Sequence, residues 1–117
     1  MSKEDITEKT VLGIIEDVEF KLEDENMIIQ AKIDTGATKS SIDIKLASEL
    51  KLGPIVKSKL VKSAHGTKLR PIVWADIVLK GKPLRAEFTL ADRTHMTYPV
   101  LIGVNILKQG FLVDPSL

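Results

Sequence analysis

A chain of 117 residues has room for one domain with a modest core and not for two. Its net charge of +1 leaves no electrostatic footprint for nucleic acid or an anionic membrane, and the lack of cysteine excludes disulfides, thiolate catalysis and thiolate metal sites. Only 4% of the residues are aromatic against 44% apolar, so the core has to be built from Ile, Leu and Val.

Residues 1–10 read as a polar tail ahead of a single domain over 11–117. No apolar segment follows the polar start and no stretch is long enough to span a bilayer, so the expected location is cytoplasmic. Val11 to Ile15 is an apolar run, after which Val18, Phe20 and Leu22 alternate with Glu19, Lys21 and Glu23, the period of a half-buried strand. Glu23-Asp24-Glu25-Asn26 turns the chain into the strand Met27–Ile33, giving a hairpin. Ser41–Ile44 suits a short strand, and Ala47–Leu52 a helical turn stopped by Gly53-Pro54. Residues 55–63 and 67–79 form a second hairpin with Ala64-His65-Gly66 near its tip. The mixed parity of Ile72, Trp74, Ile77 and Leu79 predicts a bulge near Ala75-Asp76. Leu84, Ala86, Phe88 and Leu90 share one strand face, Tyr98–Ile102 is an apolar strand, Val104–Lys108 a short helix, and Phe111–Val113 a last strand. Short, closely spaced strands with little helix predict an all-β fold, a small closed barrel with one or two short helices.

Asp34-Thr35-Gly36-Ala37 follows its strand directly. A strand that delivers one aspartate into a tight Thr-Gly turn presents half of the catalytic pair of an aspartic peptidase. Gly36 lets the backbone approach a partner and a substrate closely. Two carboxylates must share a proton for this chemistry, and the chain carries the segment once. It therefore acts only as a homodimer, on a peptide or protein substrate, with no metal or nucleotide cofactor. The hairpin around Ala64, His65, Gly66 and Thr67 is a candidate flap that excludes water and binds an extended peptide. Ile102, Gly103 and Asn105 lie where an apolar strand runs into a short helix, a segment able to brace the catalytic turn.

Ile33-Asp34-Thr35-Gly36-Ala37 followed by Leu101-Ile102-Gly103-Val104-Asn105-Ile106-Leu107 resembles the paired signature of retropepsin-like aspartic peptidases. The nearer resemblance is to the bacterial and archaeal branch labelled ATP-dependent zinc protease. It is carried by Val11-Leu12-Gly13 with Glu16, Ser40-Ser41, Arg70–Val73, Asp92–Gly103 and Leu112–Pro115. The resemblance implies a retropepsin fold with Asp34 as the catalytic aspartate and Thr35 and Gly36 as its supporting turn. Retroviral members carry an acidic residue two places after the motif's Gly and an Arg straight after the later Gly, joined as an ion pair. Here those places hold Thr38 and Val104, so one brace of the dimer is absent.

Plainer readings stand beside these. Asp34 can be an ordinary turn aspartate, and the same fold can serve as a non-catalytic peptide-binding or assembly module. A zinc hydrolase is disfavoured: His65 and His95 lie thirty positions apart, without a third histidine or a His-Glu-x-x-His pattern. Asn105 can be a helix cap. Asp92-Arg93 and Met96 fit either a surface turn with a core Met or a wall of the substrate cleft. Trp74 fits core or flap packing, Asp76 and Glu87 solvated strand positions, and Lys57, Lys59, Lys62, Lys68 and Arg70 a solvated hairpin. Neither Asp43 nor Asp114 lies in a turn like that of Asp34, so neither supplies a second catalytic aspartate.

Overall fold

The computed structural model describes residues 8–55, 57–63 and 66–117. Nine strands and two short helices are found among the described residues. β1 (Thr10–Leu12), β2 (Ile15–Phe20) and β3 (Met27–Ile33) lead to the Asp34 turn. β4 (Ser40–Asp43) and helix α1 (Ile44–Glu49) follow. β5 (Lys57–Ser63), β6 (Gly66–Leu79) and β7 (Lys82–Ala91) form two consecutive hairpins. β8 (Val100–Ile102), helix α2 (Val104–Leu107) and β9 (Phe111–Val113) complete it.

The principal sheet runs β2-β3-β8-β4-β7-β6-β5, and β2 pairs β6 as well. That extra pairing, Val18↔Leu79 to Phe20↔Ile77, closes six strands into a barrel and leaves β5 outside it, on β6 alone. Closure removes the free edges an open sheet would present. Alternation then sends Val18, Phe20, Ala31, Ile33, Val73, Ala75, Ile77, Leu79, Ala86, Phe88, Val100 and Ile102 into the core. The core is aliphatic except for Phe20, Phe88 and Phe111, and the rings of Phe20 and Phe88 meet at 5.7 Å and 49°. β1 and β9 pair in parallel as a separate two-stranded sheet. The β6–β7 turn needs positive φ at both central residues, met by Lys80 at 51° and Gly81 at 79°, a type I′ hairpin. No helix among the described residues is long and apolar enough to cross a membrane.

Four local expectations are corrected. α1 begins at Ile44, three residues early, because Asp43 caps it: Asp43 Oδ2 accepts from the Leu46 amide. No bulge interrupts β6, whose register with β7 is continuous from Ile72↔Thr89 to Leu79↔Lys82. The inward residues are Val73, Ala75, Ile77 and Leu79, and Trp74 stands on the outer face, 38% exposed, with the Arg85 guanidinium 5.5 Å from its ring. The strand expected over Tyr98–Ile102 keeps only Val100–Ile102, since Tyr98 and Pro99 give their carbonyls to Arg93 and Asp43 instead.

Candidate active site

β3 delivers Asp34 to a turn whose two ends are tied. The Asp34 amide donates to the Ile102 carbonyl at 2.9 Å, continuing the parallel pairing of β3 with β8 beyond Ile33↔Ile102. Gly36 N–H donates to Asp34 Oδ1 at 2.8 Å, and Ala37 N–H to the Asp34 carbonyl at 3.2 Å. The carboxylate is therefore half-buried and held in one orientation by its own turn, with Thr35 and Gly36 exposed beside it.

α2 braces the far side. Val104 N–H donates to the Ala37 carbonyl at 2.8 Å and Asn105 N–H to the Thr38 carbonyl at 3.2 Å. Gly103 is required by proximity: a Cβ there would lie 2.7 Å from the Ala37 carbonyl oxygen and nearer still to that of Lys39. Asn105 does not cap the helix. The N-cap is Gly103, without a side-chain bond, and the Asn105 amide accepts from Ser40 Oγ at 2.7 Å while donating to the Glu87 carbonyl at 3.1 Å. Ser40, fully buried, also accepts from Gly103 N–H at 2.9 Å, and its carbonyl accepts from Thr89 Oγ1 at 3.2 Å. Ser40, which sequence reasoning quoted without giving it a role, joins the turn's exit to the bracing helix. Its only signal was a polar residue at the head of an apolar strand. Because the buried Ser40 and the part-buried Asn105 are both satisfied, Asn105→Ala should cost about 1–3 kcal/mol by taking the acceptor from the Ser40 hydroxyl and a donor from the Glu87 carbonyl, read by urea denaturation.

A groove of about 460 Å³ adjoins the turn, lined by Ala37, Thr38, Arg70, Arg93, Met96 and Leu101 among others. Asp92, Arg93 and Met96, for which two readings were open, thus all line the groove. Met96 is 56% exposed and does not fill the core. Burial pushes the Arg93 guanidinium below the ordinary arginine range, while the carboxylates of Asp43 and Asp34 act against that. Asp92 is spent on its own turn: the Thr94 hydroxyl and amide, at 2.6 and 3.0 Å, hold its carboxyl below the usual range. Asp114 is engaged alike by Ser116, and Asp43 by the Arg93 amide at 2.8 Å and by its helix. Of the candidate flap, Gly66 and Thr67 open β6 opposite Ser63 and Lys62, whereas Ala64 and His65 lie outside the described residues. Glu87 is not a freely solvated position: its side chain is 21% exposed and pairs with Lys57 at 2.8 Å. A larger hollow, about 640 Å³ against Leu22, Met27, Leu50 and Trp74, includes none of the residues of the Asp34 turn.

Among the described residues no group of three His, Asp or Glu side chains could hold a metal ion. With only two histidines and no cysteine in the chain, chelators should leave fold and any activity unchanged. One tightly bound zinc per chain in elemental analysis would overturn that expectation.

Solved structures share this architecture. A protein of unknown function from Legionella pneumophila is 26% identical, superposes with a TM-score of 0.65, and is matched over 92% of this chain and 95% of its own. The simian foamy virus protease is 18% identical with a TM-score of 0.59, over 80% of this chain and 91% of its own. The EIAV protease in complex with the inhibitor HBY-793 is 21% identical with a TM-score of 0.58, over 69% and 75%. No curated protein matches the sequence. A family description does match, that of the RimB-like group, the retropepsin-like aspartic endopeptidase RimB, over residues 45–117, which hold the bracing segment and the groove loop but not Asp34. With well over half its length matched, the chain belongs to the RimB-like family of retropepsin-like aspartic endopeptidases.

Proposed function

We propose that the protein is an aspartic endopeptidase that works as a homodimer, each copy supplying one Asp34. The observation that carries this reading is the Asp34 turn itself: a half-buried carboxylate at a strand end, oriented by the Gly36 amide and tied to Ile102 and α2. In the dimer two such carboxylates flank a water. The ionised one takes the water's proton as its oxygen attacks the scissile carbonyl carbon. The protonated one donates to the carbonyl oxygen, giving a neutral tetrahedral intermediate. Collapse breaks the C–N bond, and a proton passes to the leaving amine. Thr35, exposed next to Asp34, offers a hydroxyl and an amide to the partner's turn across the two-fold axis. The β5–β6 hairpin, reaching past the barrel on β6, acts as the flap, and the expected site of action remains the cytoplasm.

The test is cleavage of peptides sensitive to pepstatin, with specific activity rising with protein concentration as dimers form. Inert, pepstatin-insensitive protein that still binds peptides would instead support a peptide-binding module. Positions 38 and 104 provide a second check, since the Asn105–Thr38 and Val104–Ala37 hydrogen bonds bring their backbones together. Both side chains are outward, Val104 being 37% exposed. Thr38→Asp with Val104→Arg should tighten the dimer beyond the sum of the single changes, by a coupling of about 0.5–3 kcal/mol. Sedimentation of the four proteins measures it, and additivity would show that this brace is not what the dimer lacks.

A further inference from the structure

The loop between β7 and β8 holds an arginine whose fixation and whose free donors do not match a purely structural role. Arg93 is anchored twice: its amide donates to Asp43 Oδ1 at 2.8 Å and its Nε to the Tyr98 carbonyl at 3.1 Å. Its own carbonyl accepts from Met96 N–H at 2.9 Å, so the loop is closed around it. The side chain is half-buried, yet neither Asp43 nor Asp34 lies in ion-pair contact with it, and none of the described residues accepts from its Nη groups. Withdrawing a cation from water without giving it acceptors is costly, and a purely structural arginine would spend its fork. This one presents it to the groove that also borders Ala37 and Thr38 of the catalytic turn. Arginine suits the position better than lysine, because Nε can be tethered while the two Nη remain available.

We propose that Arg93 is a substrate-anchoring residue, its Nη groups donating to an oxygen of the peptide that lies in the groove beside the Asp34 turn. The peptide identity of the ligand rests on the peptidase reading above. The oxygen is either a main-chain carbonyl or a carboxylate, two sources of the same acceptor chemistry. Tethering at Nε and at the backbone lowers the ordering cost of making this bond, so the side chain acts as a preformed clamp.

Two measurements decide it, each on a protein whose urea-unfolding curve shows that it is folded. In peptide cleavage, Arg93→Gln should raise KM by about tenfold or more while kcat changes by less than about threefold, with Arg93→Lys in between. A fall in kcat at unchanged KM would overturn the anchoring role. The second measurement needs no turnover. In Asp34→Asn protein the methyl resonance of Met96, which lines the same groove, is followed during titration with N-acetylglycine N-methylamide and with N-acetylglycinate. A saturable shift with either probe, lost in Asp34→Asn/Arg93→Gln, supports the anchor, and the tighter probe tells carbonyl from carboxylate. No shift with either, or a shift indifferent to Arg93, overturns it. Arg93-dependent shifts without any cleavage by the wild type would leave the anchor standing and remove the peptidase reading.

Discussion

Asp34→Asn will abolish peptide cleavage and leave the barrel folded. The substitution keeps the oxygen that accepts from Gly36 N–H at 2.8 Å, so the turn, its tie to Ile102 and the packing of β3 on β8 survive. What it removes is the proton traffic. A dimer of amides has no base for the water, and the rate should fall by about 10⁴ or more, with the urea midpoint close to that of the wild type. The same argument fixes the pH response of the proposed dimer. The working form carries one shared proton, because two carboxylates in contact cannot both ionise without repulsion. Raising the pH removes that proton and lowers the rate, so activity should peak on the acidic side. Residual cleavage of more than about a tenth in Asp34→Asn, at any pH, would show that the chemistry resides elsewhere.

Gly103→Ala should have the largest effect on stability. Its Cβ would enter between β8 and the exit of the Asp34 turn, 2.7 Å from the Ala37 carbonyl oxygen and nearer to that of Lys39. Neither obstacle is a flexible side-chain end. Both are backbone, and the Ala37 carbonyl is already held by Val104 N–H. Relief requires α2 to move off the turn, which also loosens Gly103 N–H from the buried Ser40 hydroxyl. The combined overpacking and orphaned polar groups should cost about 3 kcal/mol or more in urea denaturation. A cost below about 1 kcal/mol would mean that the turn yields freely, and its ties to α2 would then not position Asp34.

Much of the barrel was legible because alternation reports burial directly: Leu84, Ala86, Phe88 and Leu90 share a face in the chain as in the sequence. The misreading of β6 has a physical cause. Ile72 and Trp74 are large and apolar but sit on the outer face, Ile72 covered there and Trp74 shared with Arg85, so the inward row of Val73, Ala75, Ile77 and Leu79 was masked. The start of α1 was missed because Ile44 continues the polar–apolar alternation of Ser41-Ile42-Asp43, and only the Asp43 carboxylate, which needs the folded loop, marks the change. At the site, the motif order showed which segments meet, since the Gly at 103 and the turn at 34–37 are local signals. The Ser40–Asn105–Glu87 contacts were not legible, because they join residues 65 and 18 positions apart through bonds that no periodicity encodes.

β6 belongs to two structures at once. From Gly66 to Ile72 it pairs with β5, from Ile72 to Leu79 with β7, and no loop separates the halves. The β5–β6 hairpin, proposed as the flap, therefore has no joint along β6 and is a cantilever, clamped in the barrel wall near the buried Ile72. A push at its tip is taken up as added twist along one continuous ladder and arrives at the wall as torque. Amide exchange along β6 should then be graded from tip to wall, slowing residue by residue with no step at a hinge.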